Sequence, residues 1–216
     1  MRFSAAAERL ARLPHPLPPP PPELQPGLAA DVSSDPARIR PTWPPPTRQS
    51  AVLVLVFPDA AGEARLVLTE RPATISHHAG EVSFPGGASE ATDASPEATA
   101  LREAAEEVGL DPERAGVRVV GRLAEVSIGP SGFRLVPIVA VADRQPDLVP
   151  DPREVAAVLT PPVAAFLPGA PIVRGEVERD GWRIAFGAYE VEGRQVWGAT
   201  ARVLGQLGAV LGPPED

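Results

Sequence analysis

Three glutamates, Glu103, Glu106 and Glu107, stand close together in the segment 102–110 and are the residues of this chain best suited to chemistry. In an α-helix, at about 100° per residue, all three project from one side. Like charges one turn apart repel each other and weaken an isolated helix, and no lysine separates them here. We interpret the cluster as oxygen ligands for a hard divalent cation, which often bridges to phosphate.

Signals on both sides set the limits of this helix. The pair Ser95–Pro96 is typical of a helix start, with a serine cap followed by proline at the first helical position. Gly109 is typical of the left-handed residue that ends a helix. Leu101, Ala105 and Val108 fall opposite the glutamates, which predicts an apolar face to bury and an acidic face to present.

The residues before the helix distinguish this cluster from a solvated acidic surface, which is the alternative interpretation of a bare E-x-x-E-E pattern. Phe84-Pro85-Gly86-Gly87 comes first, followed by a polar loop that contains Asp93. Paired glycines indicate a backbone that turns tightly or approaches another group closely. A glycine-containing loop followed by an acidic helix therefore favours a functional site.

This arrangement resembles the signature of the Nudix hydrolases, G-x5-E-x7-R-E-U-x-E-E-x-G-U, where U is a bulky aliphatic residue. The residues that match it are Gly87, Arg102, Glu103, Ala104, Glu106, Glu107, Gly109 and Leu110, with Asp93 in the place of the upstream acid. Two departures are visible: the segment between Asp93 and Arg102 is one residue longer than the general pattern, and Ala104 is smaller than the usual aliphatic residue. The half of the signature that binds metal in the family is intact.

The resemblance implies an α/β/α sandwich with a mixed sheet and a catalytic loop–helix, and hydrolysis of a pyrophosphate bond with Mg²⁺ or Mn²⁺. Glu103, Glu106 and Glu107 would hold the metal, while Arg102 would orient a glutamate of the motif. Glu106 or Glu107 would be the base that activates water. Some Nudix enzymes take this base from a distant loop, and Glu125 and Glu154 are the alternatives for that role.

A narrower resemblance, to the coenzyme A pyrophosphatase branch, covers roughly residues 50–210. It is carried by the segments 67–71, 80–87, 99–101, 150–155 and 196–201, which read VLTER, GEVSFPGG, TAL, PDPREV and VWGATA. The branch usually has an arginine where this chain has Ser76 and a small residue where it has Pro72. The implied substrate is coenzyme A or an acyl ester, cleaved to 4′-phosphopantetheine (or its acyl form) and adenosine 3′,5′-bisphosphate.

Five residues outside the carboxylate cluster are candidates for substrate binding. They are Arg71, His78, Gly86, Gly87 and Phe133. A guanidinium group suits bidentate phosphate recognition, and Arg71 ends a predicted strand that leads toward the site. His78 corresponds to a position that is often histidine in the coenzyme A branch. Phe133 could stack on an adenine or could belong to the core.

Two other functions remain open at this stage. One is hydrolysis of another nucleoside diphosphate derivative, such as ADP-ribose, a nucleotide sugar or a dinucleotide, which the absence of the arginine at Ser76 favours. The other is a non-catalytic Nudix domain that binds a nucleotide, although such domains usually lose the metal-binding glutamates that are present here. The family resemblance also implies a homodimer.

The elements that position the site are predicted from hydrophobic patterns. Strands are expected at 51–57, at 65–69 after a turn at 61–62, at 117–123 and at 135–142. A short helix is expected at 152–159, a hairpin with strands 182–186 and 189–191, and a C-terminal helix at 200–211. Helices mixed with a largely non-alternating sheet agree with an α/β/α sandwich.

Composition excludes several classes of protein. The 216 residues carry a formal net charge of −8, so a basic nucleic-acid-binding surface is not expected. No apolar stretch is long enough to cross a bilayer, and we expect a cytoplasmic protein without a membrane partner. The chain has no cysteine, which excludes disulfides and thiolate catalysis.

The first 48 residues form a separate N-terminal arm. Phe3, Ala6, Leu10 and Leu13 recur at helical spacing, which predicts a short amphipathic helix that packs on the domain or on a second subunit. Proline-rich tracts at 14–22 and 41–46 should be extended. The catalytic domain is expected to begin near Gln49 and to run to about residue 212.

Overall fold

The computed structural model describes residues 1–29, 45–73, 80–129, 131–179 and 181–212. The α-helices are α1 (Phe3–Leu10), α2 (Pro96–Val108), α3 (Pro112–Ala115) and α4 (Gly198–Leu211). Short 3₁₀ helices occur at Pro22–Leu24 and Val163–Phe166. The strands are β1 (Gly27–Leu28), β2 (Arg48–Pro58), β3 (Ala64–Leu66), β4 (Leu68–Glu70), β5 (Val82–Ser83), β6 (Gly86–Ala88), β7 (Val117–Arg122), β8 (Val126–Ile128), β9 (Phe133–Ala142), β10 (Ala157–Leu159), β11 (Val173–Arg179), β12 (Trp182–Val191) and β13 (Arg194–Trp197).

The largest sheet is built on β2 and β9, which run parallel with Ala51 opposite Val136. Strand β3 pairs antiparallel with the end of β2, β6 with its beginning, and β7 and β8 pair antiparallel with β9. The sheet is therefore mixed. The predicted strands at 51–57, 117–123 and 135–142 are confirmed by β2, β7 and β9.

Both faces of this sheet are buried, which explains the continuous apolar run of β2. Its even-numbered residues, such as Val54, pack into a core with α1 and α4. Its odd-numbered residues, such as Leu55, pack into a second core with α2, including Ala100 and Ala104. Helices therefore cover the sheet on both sides, and the expected α/β/α arrangement is confirmed.

Three element predictions are corrected. The expected strand at 65–69 divides: β3 pairs with β2, whereas β4 pairs with β5 and β10 in a small second sheet. The expected helix at 152–159 is wrong, because residues 157–159 form β10 and the N–H of Ala156 donates to the carbonyl of Glu70 at 2.8 Å. Pairing with the edge of β4 decided the conformation of this segment.

The expected hairpin at 182–191 is also wrong, because this segment is one continuous strand, β12. It lies between β11 on one side and β1 and β13 on the other. Gly187, which lies between the two expected strands, lets the carbonyl of Glu23 approach β12 closely. The turn comes later, at Glu192 and Gly193, where both φ angles are positive (50° and 78°).

The N-terminal helix α1 confirms the amphipathic prediction. Ala6 and Leu10 are fully buried in the core shared with α4, and Arg9 donates to the carbonyl of Leu211. Leu24, further along the N-terminal arm, is buried in the same core. The C-terminal helix is confirmed as α4, whereas the second proline tract lies mostly outside the described residues. No helix among the described residues combines the length and the apolar character that a membrane span requires.

Candidate active site

Helix α2 is placed by its caps and its apolar side. The hydroxyl of Ser95 accepts a hydrogen bond from the N–H of Ala98 at 3.3 Å, and Gly109 takes the left-handed conformation with φ 62° and ψ 26°. Ala104 is fully buried against the sheet, whereas Ala105 is exposed. The prediction that Ala105 belongs to the apolar face is therefore wrong, because the helix is rotated so that Glu107 turns inward.

Arg102 is bound to the loop before the helix. Its Nε donates to Oδ1 of Asp93 at 3.0 Å and its Nη2 donates to Oδ2 at 3.1 Å. Nη2 also donates to the carbonyl of Ala88 at 3.2 Å. This guanidinium and the hydroxyl of Thr99 hold the pKa of Asp93 well below its usual range. The bidentate geometry fixes the loop against α2.

The same guanidinium also contacts two of the motif glutamates. Nη1 of Arg102 lies 2.9 Å from Oε2 of Glu106, and Nη2 lies 3.0 Å from Oε1 of Glu103. Glu106 is exposed over 57% of its side chain, whereas Glu103 is exposed over 15%. Arg102 therefore orients both carboxylates, and Glu106 is the freer of the two to move.

Thr99 is a member of this network that the sequence analysis did not single out. Its side chain is fully buried and its hydroxyl donates to Asp93 at 2.9 Å. The hydroxyl also lies 3.2 Å from that of Ser89. A threonine three residues before the motif arginine is a weak signal, since a threonine hydroxyl more often bonds within its own helix.

The glycine pair brings strand β6 against the carboxylates. A Cβ atom on Gly87 would lie 2.6 Å from the carboxylate of Glu103, so any other residue there would displace that carboxylate. The N–H of Gly86 donates to Oε2 of Glu107 at 3.1 Å. Gly86 also has φ 152° and lies directly against Val52 of β2. The close approach expected of these glycines is an approach to the acidic side chains.

Glu107 is the most deeply buried acid of the site, with 6% of the residue exposed. Burial raises its pKa to about 7, although the hydrogen bond from Gly86 and the charge of Arg71 act in the opposite direction. Burial also raises the pKa of Glu103. Neighbouring acids also raise both pKa values, because the negative charges around Glu103 and Glu107 are not fully neutralised by the nearby arginines.

Glu154 is the acid outside α2 that acts on both Glu103 and Glu107 and raises both pKa values. Two backbone contacts place its segment: the N–H of Asp151 donates to the carbonyl of Glu107 at 2.9 Å, and the N–H of Ala156 donates to Glu70. The segment thus connects the end of α2 with β4. Glu154 itself is exposed.

The carboxylates of α2 provide the type of donor atom that a divalent cation requires. Oxygen ligands of this kind suit Mg²⁺ or Mn²⁺. Within the described ranges, no three acidic or histidine side chains converge as a ready-made metal site. Glu103 and Glu106 are both in contact with Arg102. Glu103 and Glu107 nevertheless flank the same glycine pair, and a cation would offset their mutual repulsion. The carboxylates therefore suit such an ion. Which of them bind it stays a prediction.

The other candidate residues have different placements. Arg71 follows β4, and its charge acts on Glu107. Phe133 begins β9, and the guanidinium of Arg48 lies over its ring at 4.1 Å. Glu125 lies 3.6 Å from Arg134 in a half-exposed pair. His78, together with Ser76, lies outside the described residues.

The comparisons with known proteins give the family. The family model described as the NUDIX domain matches residues 47–179. Nudix hydrolase NudL of Cronobacter sakazakii is 39% identical over 76% of this chain and 83% of its own length. The chain therefore belongs to the Nudix family, as its motif predicted.

Two plant relatives are also similar. Nudix hydrolase 22, chloroplastic, of Arabidopsis thaliana is 37% identical over 83% of this chain. Nudix hydrolase 15, mitochondrial, of the same plant is 38% identical over 64% of this chain. The matches cover 58% and 46% of these two relatives, so this chain spans about half of their length.

Proposed function

We propose that this protein is a divalent-metal-dependent pyrophosphohydrolase that acts on a nucleoside diphosphate derivative. The observation that carries this proposal is the buried carboxylate of Glu107, held by the N–H of Gly86 beside Glu103. Burying two acids together is costly without a compensating cation. The membership in the Nudix family supports the same conclusion.

Glu103 and Glu107 would hold Mg²⁺ or Mn²⁺, with Glu106 joining them after a side-chain rotation away from Arg102. When bound, the ion polarises the phosphoryl group, neutralises the leaving phosphate and lowers the pKa of water. Arg102 keeps its bidentate bond to Asp93 and so maintains the position of the helix. This division of roles makes Arg102 an organiser of the site.

The proton of the attacking water would pass to a carboxylate of this chain. Oε2 of Glu107 accepts from Gly86, while Oε1 has no hydrogen-bond partner among the described residues. Oε1 of Glu107 is therefore our first candidate for the acceptor, ahead of Glu106, which is paired with Arg102. Arg71 would attract the substrate phosphates.

For the substrate, we propose coenzyme A or an acyl-coenzyme A, cleaved to 4′-phosphopantetheine or its acyl form and adenosine 3′,5′-bisphosphate. The support is the similarity of five segments around the motif to the coenzyme A pyrophosphatase branch. Four of these segments carry residues of the candidate site: 67–71 ends in Arg71, 80–87 contains the glycine pair, 99–101 begins with Thr99, and 150–155 contains Glu154.

A second candidate substrate is another nucleoside diphosphate derivative, such as ADP-ribose or a dinucleotide. The observation that favours it is Ser76, which stands where the coenzyme A branch usually has an arginine. A site without that arginine has less positive charge to select a 3′-phosphate.

A product-resolved hydrolysis panel tests the proposal. Coenzyme A, dephospho-coenzyme A, ADP-ribose and a dinucleotide are compared with Mg²⁺, with Mn²⁺ and with EDTA. We expect metal-dependent cleavage at the pyrophosphate and a preference for coenzyme A over its dephospho form. Preference for ADP-ribose would retain the chemistry and replace the substrate. Absence of turnover on all four, with metal bound, would favour a non-catalytic nucleotide-binding domain.

A further inference from the structure

Strand β11 (Val173–Arg179) lies at the edge of the four-stranded sheet. One side pairs with β12, from Val173 opposite Ala188 to Arg179 opposite Trp182. In the part of the chain that the structure describes, no strand pairs with its other side. An open edge of this kind offers unpaired N–H and carbonyl groups to another strand.

The sequence of this edge is complementary to itself when it is read in opposite directions from Gly175. Arg174 precedes this glycine and Glu176 follows it, while Val173 and Val177 stand one position further out. In an antiparallel pair of two β11 strands centred on Gly175, each Arg174 faces a Glu176 and each Val173 faces a Val177. A two-fold axis produces every such pair twice.

The two faces of the strand agree with this arrangement. Val177 is opposite Ile184 and Gly175 is opposite Phe186, so these residues share one apolar face of the sheet. Val173, Val177 and Ile184 are only partly buried. The ring of Phe186 stacks on Trp197 with centroids 4.5 Å apart. Two copies joined at β11 would extend this apolar face across both sheets.

The opposite face carries the charges. Arg174 and Glu176 are exposed, and Glu176 lies 2.5 Å from Arg183 of the neighbouring strand. A second Arg174 would meet Glu176 from the open side and extend this ion pair across the seam. Opposite charges that face each other on antiparallel strands stabilise the pairing, and like charges weaken it.

We propose that β11 is the seam of a two-fold homodimer, in which the strands of two copies of this chain pair antiparallel around Gly175. The glycine suits the centre, because the ring of Phe186 lies where its side chain would be: a Cβ atom there would be 2.6 Å from the ring. The dimer would join the two sheets into one and close both open edges.

The seam is connected to the candidate active site within each subunit. Strand β12 continues into β13, where Arg194 forms a 2.8 Å ion pair with Glu70 of β4. Glu70 directly precedes Arg71, the candidate phosphate contact. Dimerisation would therefore support the strand that presents Arg71, although the proposal of the dimer itself does not depend on the reaction.

Sedimentation equilibrium of the full chain tests the seam, with charge variants made in an Arg183→Gln background so that the intrachain ion pair does not interfere. We expect a dimer for the wild type and for Arg183→Gln. Arg174→Glu and Glu176→Arg each create two like-charge contacts, and each should raise the dimer dissociation constant about tenfold or more. The double exchange R174E/E176R should restore it to within about threefold.

The matched control is Arg118→Gln, which breaks a similarly exposed ion pair with Asp143 on another sheet and should leave the dimer unchanged. A monomeric wild type would overturn the proposal. Equal weakening in the single and double exchanges would also overturn it, because the charges would not face each other. Circular dichroism verifies the fold of each variant, and either single exchange carries the test if the other does not fold.

Discussion

Helices α2 and α4 cover opposite faces of the same sheet, and each buries one long polar side chain. Gln206 of α4 is 5% exposed and Glu107 of α2 is 6% exposed. Gln206 is satisfied at both ends, since Oε1 accepts from the N–H of Ala124 at 2.8 Å and Nε2 donates to the carbonyl of Pro18 at 3.0 Å. Glu107 accepts one bond from the described residues, and burial raises its pKa to about 7.

The difference is between a buried group whose hydrogen bonds are complete and a buried group whose charge, we propose, a cation offsets. A buried amide with both ends bonded stabilises the contact between α4, the N-terminal arm and the loop after β7. A buried acid close to other acids destabilises the folded protein on its own. The buried charge of Glu107 therefore lowers the free energy of unfolding, whereas the hydrogen-bonded amide of Gln206 does not. A bound cation would offset this loss.

The largest effect is expected from Glu107→Gln, which removes the charge and keeps the shape. Turnover should fall at least about a thousandfold, because a ligand of the metal and the proton acceptor are lost together. Steady-state kinetics with the best substrate of the hydrolysis panel measure this change. The matched control is Glu113→Gln on α3, which should retain wild-type activity. Turnover by Glu107→Gln near the wild-type rate would show that the buried charge of Glu107 is not needed for the reaction.

A smaller effect is expected from Arg102→Lys. A lysine keeps the charge but cannot form the bidentate bond to Asp93 and the contacts with Glu103 and Glu106 at the same time. We expect kcat to fall by about a hundredfold, since small displacements of catalytic groups have effects of this size. Arg118→Lys, at an exposed ion pair, is the control. Equal kinetics for the two variants would show that Arg102 does not organise the site.

The smallest effect is expected from Gln206→Leu. The N–H of Ala124 and the carbonyl of Pro18 would lose their partner, which should lower the free energy of unfolding by about 2 kcal/mol. The value of kcat should not change, because the α4 face has no part in the chemistry. Urea denaturation and kinetics on the same sample measure both quantities. A fall in kcat without a loss of stability would contradict the assigned roles.

The sequence predicted the elements whose pattern is determined locally. The caps at Ser95 and Gly109, the buried strand β2 and helix α4 follow from short-range signals, and the structure confirms them. The predictions at 152–159 and 182–191 were wrong because long-range strand pairing decided the conformation there. Ala105 was misplaced for a related reason: the packing of α2 on β2 and β6 decides which side of the helix is buried, and no local pattern contains these contacts.

The candidate site also combines features that the local sequence predicts with features that long-range contacts decide. The motif predicted the glutamates and Arg102 as site residues, and the structure brings Arg102 into contact with Glu103 and Glu106, because residues at this spacing on one helix lie close together. The inward orientation of Glu107 and the approach of Glu154 depend on β6 and on the segment before β10. Thr99 was missed because its role depends on Asp93, which lies across the loop.

The most direct test is the free energy of unfolding between pH 4.5 and 7, measured with and without Mn²⁺ for the wild type and Glu107→Gln. The pKa of Glu107 is raised from 4.5 to about 7, so in this range the folded protein binds more protons than the unfolded chain. Without metal, the wild type should lose about 3 kcal/mol as the pH rises. Glu107→Gln should show a weaker dependence.

Mn²⁺ should restore the stability of the wild type near pH 7 and should have little effect on the variant, because the cation would offset the buried charge of Glu107. That result would establish the acidic face of α2 as a cation site. Equal pH profiles for the two proteins, with equal responses to Mn²⁺, would contradict the account.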